Sequence, residues 1–170
     1  VGQLISVNAG SWKPTGVQFG YRWYRNGVAG SGATGRTYTV TAADHAKKLT
    51  ARVDGALEDY PNAARTTAAS AKVGTGRFTV GTVTVQGTAA VGQPLTASPG
   101  TWRSRFNPDL TPNPTLSYQW YASGKAIKGA TTATYTPTAA QQGAKVHVVV
   151  TGSLSRYTKA SATSTPVTIR

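Results

Sequence analysis

The chain has no cysteine and no methionine. Without a thiol there is no disulfide framework, no thiolate metal site and no cysteine nucleophile, so any domain it forms rests on its apolar core alone. Acids are nearly as scarce. Asp44, Asp54, Glu58, Asp59 and Asp109 are the five, against 18 Lys and Arg, and the net charge is +13. A glycosidase needs two facing carboxylates, one of them with a raised pKa. Glu58 and Asp59 are neighbours on a predicted hairpin loop, where both are solvated. Nor do the acids cluster to give Ca²⁺ the roughly six oxygens it takes. No apolar run reaches the ~18 residues of a membrane span, so no membrane insertion is expected. No signal-peptide pattern stands at the start. The chain opens on Val1, which is expected of a piece of a longer protein.

What is present is Gly, Thr, Ala and Val, a mixture that suits pleated strands joined by tight turns. It is also repetitive. "VGQLISVNAGSW" at 1–12 returns as "VGQPLTASPGTW" at 91–102, and "YRWYRNG" at 21–27 returns as "YQWYASG" at 118–124. The offset is 90 residues before the first Trp of each copy and 97 from Tyr21 onward, so the second copy carries a seven-residue insertion within "RSRFNPDLTPNP". All four Trp and all eight Tyr fall in equivalent pairs. A repeat of this length predicts two modules of one fold, 1–75 and 76–170. The second has a leading segment at 77–90 that supplies a first strand. The first begins at the equivalent of Val91, so its own first strand is expected to be missing.

Alternation gives the strands. Phe19, Tyr21 and Trp23 share one face and Arg22 and Tyr24 the other; Leu116, Tyr118 and Trp120 repeat the pattern. Leu49, Ala51 and Val53, like Val146, Val148 and Val150, point inward. "TAADHAKK" and "TAAQQGAK" read as one helical turn each, with Thr41 and Thr138 as caps. Short strands with Gly-rich turns predict an all-β chain of two antiparallel β-sandwich modules, with Trp23 and Trp120 in their cores.

A mid-module Trp strand followed by "TYTVTAADHAKKLTARVDG" resembles an immunoglobulin-like sandwich. More narrowly, "YRWYRNG…GATGRTYTVTAAD…KKLTARVDG…Y" is similar to the tandem immunoglobulin-like repeats of secreted and surface proteins of high-GC Gram-positive bacteria. The similarity covers nearly the whole chain, departing at Ala46, where the second copy has Gly143, and at the insertion. It implies an extracellular or cell-surface location, a larger parent chain with other domains as neighbours, and a role as spacer, adhesin or sugar-binding appendage.

No chemistry-bearing constellation emerges. His45 and His147 have no local partners for a nucleophilic triad and no ligand spacing, and "GTGRFTVG" lacks the Lys-Ser/Thr ending of a phosphate loop. Neither an enzyme activity nor a metal or cofactor is expected. The positive charge implies attraction to polyanions. It is spread over both copies without a nucleic-acid-binding motif, which favours an extracellular polysaccharide or anionic cell-wall polymer over nucleic acid.

Two sites are candidates. In an immunoglobulin-like module the loop before the Trp strand and the final hairpin loop lie at one end. In the second copy this end holds Trp102, Arg103, Arg105 and Phe106 from the first loop and Arg156, Tyr157 and Lys159 from the second. Rings and guanidinium groups together stack on sugar faces and grip hydroxyls or anions. Trp102 and Tyr157 recur in the first copy as Trp12 and Tyr60, so they can equally serve to seal the core. The other candidate is a basic-aromatic sheet face with Arg22, Tyr24, Lys48 and Arg52. The alternatives are a spacer with no specific ligand, or binding of an anionic polymer or nucleic acid through net positive charge alone.

Overall fold

The computed structural model describes residues 1–106 and 113–170; Asp109 and most of the insertion lie outside them. The chain is all-β, built from several antiparallel sheets, and divides into two units, Val1–Gly76 and Arg77–Arg170.

Unit 1 runs β1 (Leu4–Ser6), β2 (Gln18–Arg25), β3 (Val28–Ala29), β4 (Thr37–Thr39), β5 (Leu49–Ala56) and β6 (Ala63–Thr66), with a 3₁₀ turn at Ala42–Asp44. Its larger sheet has the order β3-β2-β5-β6, and β1 pairs with β4. The register sets Tyr21 opposite Val53 and Trp23 opposite Ala51, so the inward residues of β2 and β5 lie side by side on one face of the sheet. Val7, Trp23, Ala51 and Val53 form the buried cluster, and Ile5 of β1 and Tyr38 of β4 pack on it from the other sheet. Trp23 donates its indole N–H to the Gly35 carbonyl at 2.9 Å, and Tyr38 stacks on its ring at 5.6 Å. An indole buried this way leaves no unpaired donor. The β2–β3 turn is Asn26–Gly27, both at positive φ (46° and 83°). That is the backbone a two-residue hairpin needs to match strand twist, and the Asn-Gly pair adopts it readily.

Unit 2 runs β7 (Phe78–Thr79), β8 (Thr84–Gln86), β9 (Leu95–Ser98), β10 (Arg103–Ser104), β11 (Thr115–Ala122), β12 (Lys125–Ala126), β13 (Thr134–Tyr135), β14 (Lys145–Ser153), β15 (Ala160–Thr163) and β16 (Val167–Thr168), with a 3₁₀ turn at Ala139–Gln141. The sheet around β11 repeats the bonds of unit 1. Trp120 donates to the Thr132 carbonyl at 3.0 Å, Tyr135 lies against its ring at 5.6 Å, and Ser123–Gly124 forms the positive-φ turn. Trp120, Val146, Val148 and Val150 have no exposed surface.

The leading segment corrects one expectation. It forms two short strands rather than one: β7 pairs with β10, while β8 pairs with β9 in a three-stranded sheet, β13-β9-β8. The chain changes sheet at Gly81, where a Cβ would stand 2.5 Å from the Thr101 backbone nitrogen. Only glycine lets the two backbones pass so closely. In unit 1, among the described residues, β1 has β4 as its sole strand partner.

Candidate functional site

The two loops expected to meet at one end of unit 2 do meet. Tyr157, in the loop after β14, donates its hydroxyl to Ser104 Oγ of β10 at 3.3 Å. Phe78 of β7 stacks on Tyr157 with centroids 5.0 Å apart and meets Trp102 edge-on at 6.4 Å. This ring cluster is interior. Trp102 is 6% exposed and Tyr157 7%. The Trp102 indole N–H bonds the Pro99 carbonyl at 2.9 Å, and its six-membered ring lies where a Cβ on Gly152 would be, 2.6 Å away. Neither ring offers a face to a ligand, so the stacking role assigned to Trp102 and Tyr157 is withdrawn. They close the core, which gains more from burying two large rings than a solvent-facing platform would return.

The cations stay outside. Arg103 and Arg105 flank the inward-facing Ser104, so both project from the outer side of β10, and both are exposed, as are Arg156 and Lys159. Phe106 is 47% exposed, with the Arg105 guanidinium 5.9 Å from its ring centroid. Arg103 also lines a pocket of about 480 Å³, with Gly100, Thr101, Trp102, Asn113, Pro114 and Leu116. No Asp or Glu is present among the described residues of unit 2; its sequence has nine Lys and Arg against Asp109 alone. Exposed cations with no acid beside them among the described residues attract an anion.

The second candidate, on unit 1, is more compensated. Arg22 and Arg52 face each other directly across β2 and β5, and Tyr24 faces Thr50. Like charges in that position repel. Arg52 Nε answers by donating to Asp54 Oδ1 at 2.7 Å, a pair exposed on both sides, which raises the Arg52 pKa. Lys48 is exposed beyond the β2–β5 edge, where its backbone N–H bonds Asn26 Oδ1 at 2.8 Å. On the matching face of unit 2, His147 lies flat on Tyr121 at 5.1 Å.

Asp44 is fully buried and is the acid that sequence reading gave no role. Its Oδ2 accepts from the Thr41 N–H (2.7 Å), the Thr41 hydroxyl (2.9 Å) and the Tyr38 hydroxyl (2.8 Å), and its Oδ1 from Arg25 Nε (2.5 Å). Burial pushes this carboxyl up, but the bonds from Thr41, Arg25 and Tyr38 outweigh it and hold the pKa below the ordinary value. Four bonds converge on the carboxylate, so the group is an anchor. Among the described residues no three His, Cys, Asp or Glu gather as a metal site would require, and no helix is long and apolar enough to cross a membrane.

The matching end of unit 1, which the sequence marks with Trp12 and Tyr60, is less enclosed. In unit 1, Trp12 is only half-buried, Phe19 meets it edge-on at 5.5 Å, and Arg65 lies over its ring at 4.7 Å. Tyr60, the counterpart of Tyr157, is 56% exposed. Nothing local in the sequence separates these two rings from their buried counterparts.

No protein-family model matches the chain, and no curated protein does. Among solved structures it is similar to an amphioxus IgVJ-C2 molecule, at 15% identity over 98% of this chain and 97% of that one, with a TM-score of 0.34. At that TM-score the likeness carries no argument about this chain.

Proposed function

We propose that the chain is a non-catalytic accessory part of a larger secreted or surface protein, two tandem immunoglobulin-like sandwiches that hold an anionic cell-wall polymer or acidic polysaccharide at the loop end of unit 2. The observation that carries this reading is the outward row Arg103, Arg105 and Phe106, joined to the Arg156–Lys159 loop through Tyr157 and Ser104, with no described acid in the unit. Withdrawal of Trp102 and Tyr157 into the core shifts the emphasis from sugar stacking to charge. Phe106 is the ring left at the rim, and with Arg105 it can cover one sugar face while the guanidinium groups take carboxylate or phosphate oxygens.

The same withdrawal favours the second reading, a spacer whose charge gives only general attraction. Retention on immobilised teichoic-type polymer, acidic polysaccharide and neutral glucan separates the two. The binding reading expects retention on an acidic polymer that persists in part at about 1 M salt, where screening reaches ~3 Å. It also expects that retention to fall at least tenfold in Arg105→Ala/Phe106→Ala, with an unchanged melting temperature. Retention that vanishes with salt and ignores the double substitution leaves the spacer.

A further inference from the structure

We propose that unit 1 carries a small binding site for an aliphatic carboxylate, in the pocket between the β2–β3 hairpin and Lys47. It lies wholly within unit 1 and does not rest on the function proposed for unit 2.

The pocket holds about 300 Å³ and is lined by Arg25, Asn26, Val28, Ala29 and Lys47. That volume is at the lower end for small-ligand sites, which suits a small acid or the terminal residue of a chain. Its polar side chains all present donors. Arg25 spends its Nε on Asp44 Oδ1 (2.5 Å), which fixes the guanidinium and leaves the rest of its donor fork. Asn26 has its Oδ1 on the Lys48 N–H (2.8 Å), which leaves its amide nitrogen as the donor. Lys47 is exposed and adds an ammonium group. Its backbone is held from both sides, the N–H on the Asp44 carbonyl at 2.9 Å and the carbonyl on the Val73 N–H at 2.8 Å.

The charge balance favours a monoanion. Asp44 offsets Arg25 in sum, but it is fully buried and closed to a ligand arriving from solvent. Lys47 is then the surplus cation. The other acids of unit 1 belong to the opposite end of β5: Asp54 faces Gly20 across the sheet, and Glu58 and Asp59 follow the strand. The remaining lining is apolar. Val28 is 71% exposed on a two-residue strand. An aliphatic group that covers it leaves water while its acid keeps to the donors, where charge-assisted bonds are the strong ones.

Unit 2 builds the same backbone without this chemistry. Ser123 N–H bonds Lys145 at 2.8 Å and Ala144 N–H bonds Gln141 at 2.9 Å, as Asn26 bonds Lys48 and Lys47 bonds Asp44. The five lining positions there are Ala122, Ser123, Lys125, Ala126 and Ala144. The cation has moved to the place of Val28, and positions 25 and 47 have alanine counterparts. The second copy is therefore a control within the same molecule.

The test titrates the isotope-labelled full chain with N-acetylvaline. The expected result is saturable shifts of the Val28 and Lys47 amides, the Asn26 side-chain amide and the Arg25 Nε–H, with Ser123, Lys125 and Ala144 unmoved. N-acetylvaline methylamide should produce none of these shifts, and acetate should bind at least fivefold more weakly. Lys47→Ala should weaken binding at least fivefold and Val28→Ser at least threefold, each with an unchanged melting temperature. A peptide ending in Val that binds more tightly than N-acetylvaline, and loses this on C-terminal amidation, supports the site with a chain terminus as its ligand. Equal affinity supports it with a free small acid. Shifts produced equally by the methylamide or by acetate overturn the proposal. So do equal shifts from inorganic phosphate or glucuronate, which make the place a general anion patch, and equal shifts in unit 2. Shifts that never saturate overturn it as well.

Discussion

Asp44 in unit 1 and Gln141 in unit 2 take the same place and accept the same bonds. Tyr38 and Thr41 donate to Asp44 Oδ2, and Tyr135 and Thr138 donate to Gln141 Oε1, all between 2.7 and 3.0 Å. The difference is one charge, and with it comes Arg25, whose counterpart is Ala122. The fold thus holds the same turn with a buried ion pair in one copy and a neutral amide in the other.

Removing one member of such a pair is costly, because the other stays buried. Arg25→Ala is expected to lower unit 1 stability by about 1.5–3 kcal/mol, towards the lower figure because the Arg25 side chain is a third exposed. Arg25→Ala with Asp44→Gln recreates the arrangement of unit 2 and should recover most of the loss. Urea denaturation followed by Trp fluorescence reads both. A double substitution no better than the single one would show that the amide does not fit unit 1.

Acid separates the two units. The folded pKa of Asp44 lies below its unfolded value, so its contribution is present above about pH 4 and is lost as pH falls through the folded pKa. Gln141 does not titrate there. Unit 1 should therefore lose stability below about pH 4 while unit 2 holds, with amide exchange at Tyr38 and Ala51 rising before that at Tyr135 and Val148. Asp44→Gln should flatten the unit 1 profile. Equal acid sensitivity in both units would place the cause elsewhere.

Ala46 sits at φ 62° and its counterpart Gly143 at 74°. A left-handed residue with a Cβ costs roughly 1–2 kcal/mol, offset in part by the extra freedom of an unfolded glycine. Ala46→Gly should stabilise unit 1 by about 1 kcal/mol, a rise of roughly 4–8 °C in Tm for a unit of this size. Gly143→Ala should move unit 2 the other way. Calorimetry resolves the two shifts.

Gly55 and Gly152 face the rings of Trp12 and Trp102, where a Cβ would come within 2.7 and 2.6 Å. Gly152→Ala should cost unit 2 about 1–3 kcal/mol, since Trp102 is enclosed by Phe78 and cannot retreat. Gly55→Ala should cost less, because Trp12 is half-buried and can swing outward. A red-shifted emission in Gly55→Ala, with a smaller stability loss than in Gly152→Ala, is the outcome to look for in paired melts and spectra.

The strands around both Trp residues were legible because alternation is local. Phe19, Tyr21 and Trp23 announce a face within five residues, and Asn26–Gly27 announces the turn. The 3₁₀ turns were legible for the same reason, through Thr41 and Thr138. What stayed hidden depends on distant partners. Whether Trp102 and Tyr157 are ligand rings or core seals stays open until Phe78 is seen to cover them, and Phe78 is far from both in sequence. The switch of sheets at Gly81 follows from a backbone crossing with Thr101, which no periodicity encodes. Asp44 had no role assigned from the sequence, yet copy one alone has both an acid at that position and an arginine at 25. The outward cations of β10 were legible as charges, but their common side became visible only once Ser104 was seen to turn inward.

The turn that closes the first hairpin also gives the chain a site of chemical ageing. Asn26 is the one Asn in the sequence followed by Gly. With no side chain to hinder it, the Gly27 nitrogen can attack the Asn26 side-chain carbonyl, expelling ammonia and closing a succinimide that hydrolyses to aspartate or isoaspartate. While unit 1 is folded, the positive φ of both residues fixes the turn and the Lys48 N–H holds Asn26 Oδ1, so the attack has to wait for local opening. Once it occurs, a cation-rich unit gains a negative charge, and in the isoaspartyl product an extra methylene enters the backbone of a two-residue turn. Ser123, at the same place in unit 2, has no carbonyl to offer. Stored protein should therefore deteriorate from one hairpin, in one unit, at a rate set by how often that hairpin frays.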